Sequence, residues 1–202
     1  MAFPKRISVI SMKLLLTFTA LLAVGLLVAA CATSRTAYES ARYTVKRTAG
    51  KVEIRDYPEL KVASTASVSE KDRDGKFMRL FGYISGKNER SEKISMTTPV
   101  FMAREGTEET MSFVVPDKVA ASGAPAPASG DVKLETISAG RFAVLRFTGG
   151  QSSAREQAAL TELRAWLAAE KLTTAGEPVF AYFDPPWTPG PMRRNEVMLR
   201  LK

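Results

Sequence analysis

A chain of 202 residues, 45% of them hydrophobic, can bury a sizeable core and at this length reads as one domain. Its formal net charge of +8 comes from scattered bases with no long run, which argues against a nucleic-acid partner. There is no histidine, so Ser-His-Asp and Cys-His nucleophiles, and the zinc, haem and non-haem iron ligand sets built on imidazole, are excluded.

Residues 1–30 read as a leader. Lys5, Arg6 and Lys13 precede an apolar run over residues 14–30, the charged and hydrophobic regions of a secretory signal. The run meets Val28-Ala29-Ala30-Cys31, which resembles the lipobox of bacterial lipoproteins, where a small residue precedes a cysteine that is lipidated and becomes the mature N-terminus. The alternative is an ordinary signal peptide or an uncleaved anchor helix, although the apolar run is short for a full span. On the lipoprotein reading, acyl chains on Cys31 hold the protein at a membrane surface, and the only cysteine is consumed, leaving no disulfide. Ala32 rather than Asp follows it, which by the same resemblance implies the outer membrane, with the domain in the cell envelope facing the periplasm. Without the leader's bases the net charge falls from +8 to about +5, compatible with anionic headgroups or an acidic ligand without requiring either.

Residues 31–42 are small and polar without periodicity and read as a tether ahead of a domain over 43–202. Val52 and Ile54 alternate with charged neighbours up to Tyr57-Pro58, and a second alternation runs from Leu60 to Val68, so two strands are expected. A short helix follows. Asp72 or Asp74 can cap its start and Gly86 can take the left-handed conformation that ends it. Between them Phe77, Leu80, Phe81 and Ile84 recur at i, i+3, i+4 and i+7, predicting one broad apolar face that carries two phenylalanines one turn apart. Whether protein covers that aromatic surface or leaves part of it to a ligand stays open at this point.

Strands are expected over 93–100, extending towards Met102, and over 111–115, with a hairpin turn at 104–107. Residues 119–130 include the low-complexity run 120–130 and read as a flexible loop. The second half repeats the first: strands over 132–137 and 142–147, a break at Gly149-Gly150, and a helix to about Lys171 striped by Leu160, Leu163, Trp166 and Leu167. Ser153 and Glu156 have capping-box spacing at its start. A strand over 179–183, a rigid proline-rich turn over 184–191 and a last strand over 196–201 complete it. Each half thus reads strand, helix, strand, strand, which predicts an α+β fold: two helices on one curved antiparallel sheet or open barrel, with a cleft between them.

Catalytic motifs are lacking. No S-x-x-K, G-x-G or G-x-S-x-G occurs. Glu177, Asp184 and Glu196 offer carboxylates, but each lies beside a predicted strand end, where a solvated charge is the plain reading. Met78, Met96, Met102 and Met111 suit either core filling or the lining of a flat apolar guest, and a Met sulfur can ligate haem iron. Tyr83 and Tyr182 could ligate ferric iron or place their hydroxyls at an element's edge.

From about Tyr43 onward the chain resembles the SOUL, or haem-binding protein, family. The motifs that carry the resemblance are Val52-Glu53-Ile54-Arg55-Asp56-Tyr57, Tyr83-Ile84-Ser85-Gly86-Lys87-Asn88 with the helix before it, Lys93-Ile94-Ser95-Met96-Thr97-Thr98-Pro99-Val100, Ala181-Tyr182-Phe183-Asp184-Pro185-Pro186-Trp187 and Arg193-Arg194-Asn195-Glu196-Val197. The resemblance implies a distorted antiparallel β-barrel of two β-α-β-β repeats with two helices packed on it. It also implies a shallow hydrophobic groove for haem or another tetrapyrrole beside the first helix. Matched residue by residue, haem-contacting methionines of the family fall on Phe77 and Phe81, and a neighbouring lysine falls on Gly82. Met78, Leu80, Ile84 and Met96 are the accompanying apolar candidates; Arg193 and Arg194 are either clamps for haem propionates or ties for a neighbouring loop. With no histidine, any haem is expected to be weakly ligated.

The implied function is a membrane-anchored, non-catalytic haem or tetrapyrrole carrier or buffer. Alternatives are an envelope protein-interaction module without haem, with an unknown protein partner, an effector-type small-molecule binder like the regulator domains the family resembles, and an enzyme acting on a tetrapyrrole.

Overall fold

The structure is a computed structural model and describes residues 18–19, 38–67 and 72–202. The lipobox and Cys31 lie outside the described residues, as does all of the leader except residues 18–19. Among the described residues no helix is long and apolar enough to cross a membrane. The compact unit runs from Tyr38 to Lys202, so it begins within the segment read as a tether.

Among its described residues this unit has eleven strands and three α-helices: β1 (Glu39–Ser40), β2 (Thr44–Ala49), β3 (Val52–Tyr57), β4 (Leu60–Ser67), α1 (Arg73–Ile84), β5 (Thr97–Thr98), β6 (Val100–Glu105), β7 (Glu108–Val114), α2 (Asp117–Ser122), β8 (Lys133–Ile137), β9 (Gly140–Phe147), α3 (Ser153–Ala169), β10 (Thr174–Tyr182) and β11 (Asn195–Leu201). Nine strands form one antiparallel sheet in the order β2-β3-β9-β11-β10-β6-β7-β4-β8, while β1 and β5 pair in parallel beside it. The units β4-α1-β6-β7 and β9-α3-β10-β11 repeat the same sequence of elements. Exchanging them, together with β3 and β8, maps the order of the eight strands from β3 to β8 onto itself, with β2 added at one edge, so a pseudo-twofold axis passes between β6 and β10. Among the described residues no ladder joins β2 to β8, and the pairing is that of an open sheet rather than a closed barrel.

The sheet buries both faces. One face is covered by α3, through Leu160, Leu163 and Leu167, and by α1, through Leu80, Tyr83 and Ile84. The other gathers Tyr57, Val62, Phe101, Val114, Phe142, Val144 and Met198 into a third core. No helix contributes to that core; the curl of the sheet upon itself and the entering segment at Ala41 and Tyr43 close it.

Several local expectations change. The strand foreseen over 93–100 is irregular up to Met96, pairs only with β1 at Thr97–Thr98, and joins the large sheet at Val100, after Pro99, which has no N–H to give to a ladder. The β2 strand carries no alternation in sequence because five of its six residues are exposed. The capping box does not form: Ser152 is the N-cap of α3 without a side-chain bond, and Glu156 reaches Tyr182 instead. α2 ends within the low-complexity segment, which is tied to the end of α1. Tyr83 donates its hydroxyl to the Pro125 carbonyl at 2.9 Å, and the Ala128 N–H donates to Lys87 at 3.2 Å. A buried phenol needs an acceptor, and the prolines make fixing the loop cheap in entropy.

Glu196 is not a solvated strand-end charge. It is fully buried and accepts two bonds from Arg55, at 2.7 and 3.0 Å, and further bonds from Arg194 at 2.7 and 2.9 Å. Arg55 stacks over Tyr43 and Arg194 over Phe183, which spreads both guanidinium charges across aromatic faces. Burial pushes the Glu196 carboxyl up, but the bonds and charges of Arg55, and then Arg194, outweigh it and hold it below the usual carboxylate range. A depressed folded pKa contributes stability that is fully present above the ordinary value of 4.5 and is lost as pH falls through the folded value. Urea unfolding across the acid range should therefore show a loss that Glu196→Gln lacks in part. Near neutral pH that variant should already be less stable by about 3 kcal/mol, because Arg55 stays buried without its main counter-charge.

Candidate functional site

The candidate site begins with the roll of α1 about its own axis. Its buried stripe is Lys76, Leu80, Tyr83 and Ile84, at i, i+4, i+7 and i+8, which is not the stripe read from the apolar residues alone. Lys76 can occupy a core position because its ammonium donates to Glu109 on β7 at 2.8 Å. Phe77 and Phe81 are thereby turned to the flank, where they are 37% and 44% exposed, and Met78 beside them is 60% exposed. The two rings lie 6.0 Å apart at 13°, and the edge of Phe113 from β7 supports Phe77 at 5.5 Å. Leu80 and Ile84 belong to the core beneath, with Met96 packed partly against it.

Of the residues proposed from sequence, Phe77, Met78 and Phe81 share one open face, while Leu80, Ile84 and Met96 underlie it. Arg193 and Arg194 are placed elsewhere. Arg193 donates to the carbonyls of Thr188, at 2.7 Å, and Pro186, and Arg194 is engaged with Glu196 and Phe183 on the other core of the sheet. Met102 and Met111 are core residues. At Gly82, a Cβ would stand 3.0 Å from Lys87 Cδ, so the stem of Lys87 crosses the helix next to Phe81.

Neither Phe77 nor Phe81 lines any of the three hollows best formed among the described residues. With both rings partly exposed, the aromatic ledge is surface. The hollow on the pseudo-twofold axis, about 470 Å³, lies between α1 and α3 over β6 and β10, where the sequence reading expected a cleft. Its apolar lining is Met102, Leu160, Pro178 and Phe180. Tyr182 donates its hydroxyl to Glu156 there at 2.5 Å. Burial, then that carboxylate, pushes the phenol well above its ordinary range, so it remains a donor. Glu156 and Glu177 face this hollow, as does Arg73, whose Nε is buried with no bonding partner among the described residues. Among the described residues no cluster of three or more metal-ligating side chains occurs.

This fold and these motifs define a class. Residues 38–200 match the family described as SOUL heme-binding protein, and the chain belongs to that family. No curated protein matches it. Among solved structures it is similar to the C-terminal domain of EcmrR, with TM-score 0.57 and 14% identity over 79% of this chain and 98% of that one. It is also similar to two proteins of Listeria innocua, one titled a hydrolase (TM-score 0.54, 12% identity, 78% and 94% covered) and one an uncharacterized conserved protein (0.52, 14%, 75% and 92%). At such identities the likeness is one of fold.

The two sides of α1 should separate in stability. Leu80→Ala should cost about 2–5 kcal/mol in urea unfolding, as a buried leucine does, whereas Phe81→Ala should cost under about 1 kcal/mol. Equal losses would mean that the phenylalanine is part of the core.

Proposed function

We propose that this chain binds haem or a related tetrapyrrole on the Phe77/Phe81 ledge, reversibly and without chemistry of its own, as a carrier or buffer anchored to a membrane through Cys31. The single observation that carries the reading is a parallel pair of half-exposed phenylalanines on α1, in a member of the SOUL heme-binding family. Two such rings offer a flat guest stacking and burial. The ledge suits a tetrapyrrole with weak axial ligation: the chain has no histidine, and the thioether of Met78 is the exposed soft donor beside the rings. Lys87, its stem lying across Gly82, supplies a cation at the rim for a propionate. Covering a few hundred Å² of apolar surface is worth several kcal/mol gross at about 25 cal/mol per Å², and association takes a large share, so affinity near micromolar is expected. The leader, the lipobox and Ala32 support placement at the outer membrane, facing the periplasm.

A second reading is favoured by the hollow on the pseudo-twofold axis. With Glu156 and Glu177 among Phe180, Leu160 and Met102, it suits a small amphipathic ligand, as in an effector-binding domain. One titration separates the two. Haem added to the domain from Tyr38 onward should give a Soret shift that weakens at least about tenfold in Phe77→Ala/Phe81→Ala and is unchanged in Glu156→Gln. A shift indifferent to the phenylalanines removes the ledge reading; one lost in Glu156→Gln favours the hollow.

A further inference from the structure

Among the described residues, the most exposed large hydrophobic side chain is remote in sequence from the ledge. Trp187 is 78% exposed, more than any other large apolar residue described. It sits at the apex of a turn in which the Thr188 N–H donates to the Pro185 carbonyl at 3.0 Å, with Pro186 ahead of it fixing the backbone. The turn is held at both ends. Arg193 donates to the carbonyls of Thr188 and Pro186, and the Gly149 N–H donates to Gly190 at 3.0 Å. From Pro185 to Met192 no side chain is charged. An indole is therefore presented on a stiff, uncharged support, so little ordering entropy is left to lose on contact.

The place of this turn says what it meets. The Arg194 N–H donates to Asp184 at 2.6 Å, and its guanidinium to the Tyr43 hydroxyl at 3.2 Å, so the base of the turn is joined to the entering segment of the domain. By a second path, Ser40 pairs with Thr98, just ahead of β6, and Val100 at the start of β6 pairs with Tyr182 at the end of β10. The end of the sheet where the chain enters the domain is thus the end that carries Trp187. Tyr38 lies seven positions beyond Cys31, a reach of at most about 25 Å.

We infer that Trp187 is a second membrane contact: it inserts its ring at the headgroup level of the bilayer to which Cys31 is anchored, and so fixes the orientation of the domain. This rests on the lipid-anchored reading above. A lipid surface fits better than a protein because one indole and its prolines are too small for a stable protein interface, which buries on the order of 1,000 Å². Tryptophan prefers the boundary between apolar chains and water, and a weak second contact is what a singly anchored domain lacks.

The test uses the mature protein, its acylation at Cys31 measured by mass, in vesicles of phosphatidylethanolamine and phosphatidylglycerol with or without bromine near the top of the acyl chains. Trp166, packed partly against the α3 core under Arg47, is the internal reference. Bromine should remove roughly half or more of the Trp187 emission, read as wild type minus Trp187→Phe. Equal quenching of wild type and Trp187→Phe in acylated protein overturns the contact while leaving the anchor standing. An unacylated Cys31 removes the anchor and this inference with it.

Discussion

Lys76 lies fully buried beneath α1 with its ammonium 2.8 Å from Glu109, and an ammonium taken out of water alone would cost several kcal/mol, so helix and sheet dock with this pair made. Arg73, a turn earlier, adds a longer contact to the same carboxylate at 3.9 Å. The pair fixes how α1 is rolled against β7. With Lys76 inward, the residues at four, seven and eight positions beyond it face the core, and Phe77 and Phe81 are carried to the flank. A charge in the interior thereby decides that two aromatic rings remain on the surface, where they can meet something else. The rings keep each other and Phe113 as neighbours, which orders them without covering them.

The domain carries two distinct surface features. On the flank of α1 there is a ledge, flat, aromatic and open. On the pseudo-twofold axis there is a hollow between the helices, with a carboxylate, a phenol that stays protonated, and an orphaned guanidinium nitrogen on Arg73. The symmetry of the fold builds only the second. The ledge comes from what distinguishes α1 from α3: α3 presents leucines to the sheet, whereas α1 presents a lysine and turns its phenylalanines aside.

Much of this is legible in the amino-acid sequence. The alternating strands, the repeat of strand, helix, strand, strand and the stripe of α3 follow from periodicity, and they hold because their apolar residues are the ones the sheet buries. The roll of α1 was not legible, since a lysine at a core position looks like a solvated charge unless its partner 33 residues later is known. Glu196 misled in the same way: its partners, Arg55 and Arg194, come from different parts of the chain, and one of them is 141 residues distant. The β2 strand left no pattern because it lies on a sheet edge with its side chains exposed. For α1 and Glu196 the missing signal is a polar interaction across long sequence separation, which also turns Phe77 and Phe81 out of the buried stripe, and for β2 it is the exposure of an edge strand; the apolar stripe of α3 is buried as its periodicity predicts.

The claim on which the functional account stands is that a flat guest rests on the outer face of α1. Ferric haem is paramagnetic and broadens the amide signals of nearby residues, so an NMR titration of the domain from Tyr38 onward locates the guest directly. The account predicts loss of signal centred on Phe77, Met78 and Phe81 and spreading to Gly82 and Lys87, with Glu156, Phe180 and Tyr182 unaffected at equal haem. Broadening centred on those three residues of the hollow, or none on α1, would contradict it.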